Sequence, residues 1–190
     1  MIAGPSGTGK GTVVHRLLDR VPSLWFSVSA TDRAARPEEV DGRDYHFVSH
    51  DEFCRLRDEG ELLEWFEVFG DLKGTPRAPV EAHRARGDDV VIEVDVQGAL
   101  AIRAALPSAY LVFLRPPSRE VQRARLRERA EAESKLSGAP VDEDEIERRL
   151  AGAAREEAAA ATFDAVVVND DLERTVDELA ALVEERRRLG

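Results

Sequence analysis

The first twelve residues constrain this chain more than any other stretch. Met1-Ile2-Ala3 lead into Gly4-Pro5-Ser6-Gly7-Thr8-Gly9-Lys10, followed by Gly11-Thr12. The G-x-x-x-x-G-K spacing is that of a loop that wraps phosphate. Its glycines permit positive φ and bring the backbone close to a ligand. Successive N–H groups then turn inward as an anion cradle, and Lys10 adds a mobile positive charge for the outer phosphates. Val13, Val14, Leu17 and Leu18 fall on one face of the following helix, whose positive N-terminal end aims at the same place. Such a loop normally follows a buried strand of about five residues. Only Met1 to Ala3 precede it, so the first strand is short or its beginning lies upstream.

The rest of the chain reads in two styles. Leu24 to Val28 is a short buried strand. Ser29 to Pro37 is polar and turn-rich, and Asp41-Gly42 is a tight-turn signal. Tyr45 and Phe47 alternate as in an antiparallel strand. Ser49 and Glu52 form a capping box for a helix to about Glu59, which Gly60 ends. Glu61 to Phe69 is extended, 70–76 is a loop, and a helix runs from about Pro79 to Arg86. Beyond Gly87 the pattern turns to parallel α/β. The strands are Val90–Val94, Tyr110–Leu114 and Ala165–Val168, and the helices begin at Ala99, Ser118 and Asp142. A flexible tip is expected at 134–140. A capping box at Asp170 and Glu173 opens a last helix through Leu182. Alternating strands and helices imply a parallel sheet flanked by helices, with 29–78 inserted as a mixed or antiparallel subdomain.

Composition narrows the ligand. The net charge is -11, which argues against a nucleic-acid partner. Arginines nevertheless cluster at Arg33 to Arg43 and at Arg115 to Arg129, which suits a small polyanion. No run of eighteen apolar residues suggests a membrane span, and the chain enters the loop at once, which predicts no signal peptide. The single cysteine, Cys54, excludes an internal disulfide and fits a reducing, cytoplasmic setting.

Seven stretches together resemble the guanylate kinase family nearly end to end. They are Gly-Pro-Ser-Gly-Thr-Gly-Lys at 4–10, Ser-Val-Ser at 27–29, Val-Asp-Gly-Arg-Asp-Tyr-His-Phe-Val at 40–48, Gly-Glu-Leu-Leu-Glu-Trp at 60–65, Gly-Thr-Pro-Arg at 74–77, Asp-Val-Gln-Gly at 95–98 and Val-Asn-Asp-Asp at 168–171. The resemblance implies a P-loop kinase fold with core segments 1–28 and 79–190, a GMP-binding insertion at 29–78 and a helical lid at 118–148. It implies transfer of the ATP γ-phosphate to GMP with Mg²⁺, in purine metabolism. By the same resemblance ATP is bound by Gly4, Pro5, Ser6, Gly7, Thr8, Gly9, Lys10, Gly11, Thr12, Arg125 and Asn169. GMP is bound by Ser29, Arg33, Arg36, Tyr45, Glu64, Lys73, Thr75 and Asp95. Lys10, Arg33, Arg129 and Arg149 carry catalysis, and Thr12 and Asp95 hold the metal. The chemistry agrees: arginine forks match phosphate oxygens, and a carboxylate at Glu64 can accept both N1–H and the 2-amino group of guanine, which adenine lacks.

Several positions depart from the family pattern. Gly11 stands where Ser or Thr usually follows the lysine, with the hydroxyl moved to Thr12, a Gly-Thr pair also known in adenylate kinases. Lys73 replaces a tyrosine that helps to hold the GMP phosphate. Asp32 replaces a threonine beside Arg33, where a carboxylate would repel the phosphate or pair with the arginine. The lid reads Arg129-Ala130-Glu131-Ala132-Glu133 in place of an Arg-Gly-Thr-Glu run. Two other readings stay open: a guanylate-kinase-like binding module with weak catalysis, and a related kinase with another phosphorylated acceptor. Oligomeric state is not legible.

Overall fold

The computed structural model describes residues 1–36, 39–68 and 70–189. The turn-rich run to Pro37 and the extended run to Phe69 therefore end outside the described residues. The fold is α/β and divides into two compact units. One comprises 22–92 and 97–109 with Met1; the other comprises 2–21, 93–96 and the chain from 110 onward.

In the second unit β1 (Ile2–Ala3) pairs in parallel with the end of β7 (Asp89–Val94) and with β8 (Val112–Arg115), which pairs in turn with β9 (Ala165–Val168). The complete strand order, β2-β7-β1-β8-β9, puts the two-residue β1 in the middle. Its residues are 4% and 0% exposed, so a strand this short still fills a core position. β8 is apolar on both faces because a parallel strand is covered on both sides. Helix α1 (Lys10–Arg20) buries Val13, Val14 and Leu17. Helix α7 (Leu172–Leu189) is tied to it by Arg16 and Arg20, which pair with Glu173 and Asp177. Phe113 and Phe163 meet edge to face at 5.2 Å.

Helix α5 (Arg119–Ser137) starts on Ser118, whose hydroxyl accepts Val121 N–H, and ends at Gly138 with φ 73°. The tip expected at 134–140 is thus half helix. Pairs such as Arg127–Glu131 and Arg129–Glu133 bridge successive turns and carry the helix on. Helix α6 (Glu143–Glu157) is capped by Asp142, as its spacing predicts, and passes into a 3₁₀ turn at Ala158–Thr162. The cap of α7 falls one residue later than the sequence suggests: Asp171, not Asp170, accepts the N–H three residues on, at Arg174.

In the first unit β2 (Leu24–Ser27) pairs in parallel with the start of β7. A second sheet has the order β4-β3-β6-β5, from β3 (Ala30–Thr31), β4 (His46–Phe47), β5 (Leu62–Val68) and β6 (Asp71–Pro76). β5, β6 and β3 are antiparallel neighbours, but β4 runs parallel to β3, not antiparallel as the alternation suggests. Alternation reports which face is buried, not strand direction. Helix α2 (His50–Asp58) has the expected Ser49 cap and packs Phe53 against Ala30, Leu62 and Leu72. Helix α3 (Arg77–Ala85) starts two residues before the predicted position, and α4 (Val96–Ala105) three residues before. Among the described residues no helix is long and apolar enough to cross a membrane.

Candidate active site

The loop at 4–10 is held by contacts that leave its inner face to a ligand. Gly4 has φ 156°, and a Cβ there would stand 2.1 Å from the Leu114 carbonyl oxygen, so no side chain fits between β1 and β8. Gly9 has φ 85° and is the N-cap of α1, with no side-chain acceptor for the helix's first N–H groups and no acidic residue in its first turn. Those donors and the helix dipole remain for an anion. The loop's carbonyls are tied back instead. Gln122 Nε2 donates to Ser6 O at 2.7 Å. Thr8 O accepts from Asn169 Nδ2 at 2.7 Å and from an Arg125 N–H at 3.1 Å. Thr8 Oγ1 closes the turn on Pro5 O at 3.0 Å. Lys10 Nζ lies over the loop, 2.6 Å from Gly4 O and 3.1 Å from Pro5 O.

Beside the loop is a cleft of about 480 Å³, lined by Ser6, Gly7, Gly9, Lys10, Gly11, Thr12, Glu93, Arg125, Leu126, Arg129, Asn169 and Leu172. Burial pushes the Glu156 carboxyl up, while Lys10 pulls it down and Asp95 pushes it further up, so all three charges share this neighbourhood. Arg129 reaches the cleft while pairing with Glu133. Arg149 does not line it. It lies in a second cavity of about 200 Å³, between α5 and α6, bonded to Glu145 at 2.7 Å. Arg125 lines the cleft and also braces the loop: it holds Thr8 O and, at 3.0 Å, Asn169 O.

The first unit carries a different constellation, made of side chains. Lys73 Nζ donates to Tyr45 Oη at 3.1 Å, and the Arg33 guanidinium sits 5.0 Å from the centre of the Tyr45 ring. Arg33 also donates twice to Glu39, at 2.7 and 2.6 Å, and the same carboxylate accepts Arg36 N–H at 2.8 Å. The Arg33 hydrogen bonds hold the Glu39 carboxyl down at about 2, against the opposing effect of burial. Two residues along β6, Thr75 Oγ1 donates to Glu64 Oε1 at 2.5 Å, and the two residues are paired across the β5–β6 ladder. Residues two apart on a strand share a face, so Lys73 and Thr75 point the same way, about 7 Å apart. Gly74 between them is required by the pairing: a Cβ would stand 2.8 Å from Glu64 O. Ser29 is buried just before β3, and its carbonyl accepts His46 N–H at 2.9 Å. Asp95 follows the end of β7 in the second unit.

Asp32 does not pair with Arg33. Its carboxylate accepts Leu72 N–H at 2.6 Å and contacts His50 Nδ1 at 2.8 Å. Trp65 is 42% exposed under the Arg57 guanidinium. Glu39, Gln122 and Glu93 escaped the sequence reading. Each left a signal: a carboxylate three residues after Arg36, a buried polar residue one turn before the apolar Leu126, and the one charge inside the apolar run Val90–Val94.

A glycine loop between a parallel strand and a helix N-terminus, with its lysine over the cradle, defines a P-loop phosphotransferase. The guanylate kinase family model matches residues 1–186. A guanylate kinase of Rhodococcus jostii is 49% identical over 185 residues, covering 96% of this chain and 85% of that protein. One of Mycolicibacterium paratuberculosis is 51% identical over 186 residues, covering 96% and 79%. The crystal structure of guanylate kinase from Anaplasma phagocytophilum superposes with a TM-score of 0.77 at 33% identity, covering 98% of this chain and 85% of that one. The chain belongs to the guanylate kinase family.

Proposed function

We propose that this guanylate kinase binds its two nucleotides on the two constellations just described, the donor on the loop of the second unit and the acceptor on the β5–β6 face of the first. The reaction is transfer of the ATP γ-phosphoryl group to GMP, giving ADP and GDP. One observation carries the residue assignment: a cation cluster at Lys73 and a carboxylate–hydroxyl pair at Thr75 lie two residues apart on one face. That spacing suits the phosphate and the base of a single nucleoside monophosphate. Lys73 takes the place of the family's tyrosine and brings a charge to the phosphate. Arg33, Arg36 and Tyr45 complete the phosphate end, and Glu39 keeps the two arginines together until the phosphate arrives. Glu64 reads N1–H and the 2-amino group of guanine, with Ser29 and Thr75 beside it; adenine would leave the carboxylate unpaired, a loss that can discriminate by about 10⁴-fold.

On the donor side the loop N–H groups and Lys10 take the ATP phosphates. Gln122, Asn169 and Arg125 hold the cradle's shape, and Arg129 supplies charge to the transferring group. Arg149, one residue past the 118–148 segment read as the lid, joins it from α6. No general base is needed, because the acceptor phosphate is largely dianionic at neutral pH. Catalysis is positioning and charge stabilisation. The residues suit Mg²⁺, which takes one or two carboxylates and keeps its remaining positions for phosphate and water. The Thr12 hydroxyl and the Glu93 carboxylate line the cleft, and with Asp95 they would hold it. When bound, the ion supplies positive charge to the phosphates. A cytoplasmic role in purine nucleotide supply accords with the single cysteine, and the net charge of -11 argues against nucleic acid as a partner.

The test is an ADP-release assay with ATP, Mg²⁺ and GMP, dGMP or AMP. Turnover is expected with GMP and dGMP and not with AMP. Binding of GMP without turnover would favour a non-catalytic module, and turnover with a base-free acceptor would overturn the role of Glu64.

A further inference from the structure

Outside the nucleotide-binding residues, the first unit holds a relay of three reactive side chains. Helix α2 carries His50 and Cys54 one turn apart, so they meet on one face. His50 Nε2 stands 3.6 Å from Cys54 Sγ, and its Nδ1 is 2.8 Å from Asp32 Oδ2. Asp32 is anchored in turn, since its other oxygen accepts Leu72 N–H on β6 at 2.6 Å. The carboxylate is 8% exposed and the imidazole 70%, so the ring is fixed on one edge and open to solvent on the other. An Nδ1–H held against Asp32 leaves the Nε2 lone pair turned to the thiol. Arg57, three residues beyond Cys54, adds positive charge, its guanidinium paired with Asp58 at 2.8 Å. Carboxylate, imidazole and thiol in that order are the parts of a nucleophile activated by an oriented base. Phosphoryl transfer between ATP and GMP uses none of the three.

We infer that Cys54 is a thiol–disulfide exchange site for low-molecular-weight disulfides, with His50 as its base and Asp32 as the residue that positions His50. As Sγ attacks one sulfur of the disulfide, the thiol proton passes to His50 Nε2. A new S–S bond forms to Cys54, the old one breaks, and the departing thiolate takes the proton from His50 and leaves as a thiol. The small disulfide is the oxidant, and the products are one mixed disulfide and one small thiol. Because the chain has one cysteine, no internal thiol can resolve the adduct, which persists until an external thiol reverses it.

The experiment treats the full chain with excess glutathione disulfide at neutral pH and follows the adduct by intact-protein mass spectrometry. One adduct is expected, absent from Cys54→Ser, forming at least about ten times faster than in His50→Gln. Glutamine keeps a hydrogen-bonding group at 50 but cannot take the proton, and His50→Gln should leave melting temperature and GMP turnover unchanged. Asp32→Asn should slow the wild type but not the His50→Gln background; equal slowing of both would assign Asp32 a merely structural part and overturn its positioning role. Equal rates for wild type and His50→Gln, or a wild-type rate no faster than that of the urea-unfolded chain, would overturn the site itself.

Discussion

The phosphate loop and the acceptor face, the two places we propose for phosphate, are built from opposite materials. The loop presents backbone N–H groups, and side chains from distant parts of the chain hold its carbonyls. Gln122, Asn169 and Arg125 do this from positions 116, 161 and 117 residues away. The acceptor face presents the ends of Arg33, Arg36, Tyr45, Lys73 and Glu64, with the Arg33 guanidinium doubly bonded to Glu39 and that of Arg36 3.4 Å from the same carboxylate. A backbone cradle depends on shape and tolerates no added atom. A side-chain cluster depends on charge and can lose or exchange a member. On the assignment we propose, the first is an anion site that reads no base and the second tells one base from another.

The comparison breaks most readily at Gly4. Gly4→Ala would push a Cβ to 2.1 Å from Leu114 O at a φ that L residues avoid. A loss of about 3 kcal/mol or more is expected in denaturant unfolding, and a stable, active Gly4→Ala chain would show that the cradle does not depend on that approach. Next in size, Lys10→Ala should keep the fold, as judged by circular dichroism, and lower kcat by about 100-fold or more. On the acceptor side Glu64→Gln should lower kcat/KM for GMP by about 100-fold while leaving KM for ATP unchanged. Equal losses on both substrates would make Glu64 structural. Lys73→Ala is expected to be milder, raising KM for GMP about 10-fold with kcat nearly kept. A larger fall in kcat than in affinity would move Lys73 from binding to the transition state.

A last effect, confined to stability and to part of the pH range, sharpens the contrast. Glu39 titrates at about 2 in the folded chain against 4.5 unperturbed. A depressed carboxyl contributes its stability in full above its unfolded value and loses it as pH falls toward the folded one. Glu39→Gln should therefore be less stable than wild type near pH 6, by roughly 1–3 kcal/mol. The gap should close between about pH 4.5 and pH 2 in urea titrations. A gap independent of pH would mean that Glu39 acts through shape and not through its charge.

Much of this was legible in the chain. The Gly4–Lys10 spacing, the Ser49, Ser118 and Asp142 caps, and the β9 boundaries act over a few residues. Such signals survive without knowledge of the rest of the molecule. Glu64 and Thr75 could be named together only through the family resemblance, since 70–76 reads as a loop and is in fact strand β6, which pairs Thr75 with Glu64. What the sequence by itself determined is therefore the family and the glycine cradle. Only the tertiary structure decided the partners of charged residues. Asp32 could have met Arg33 beside it, yet it turns to Leu72, forty residues on. Arg33 and Arg36 took Glu39 from among many carboxylates. β4 ran parallel where alternation left the direction open. Arg125 and Arg149 sit on neighbouring helices, but one holds the loop and the other a separate cavity. Charge attracts any opposite charge within reach, so the pattern of residues cannot choose among candidates. The choice falls to strand register and helix rotation, which bring one partner to hydrogen-bonding distance and leave the others in water.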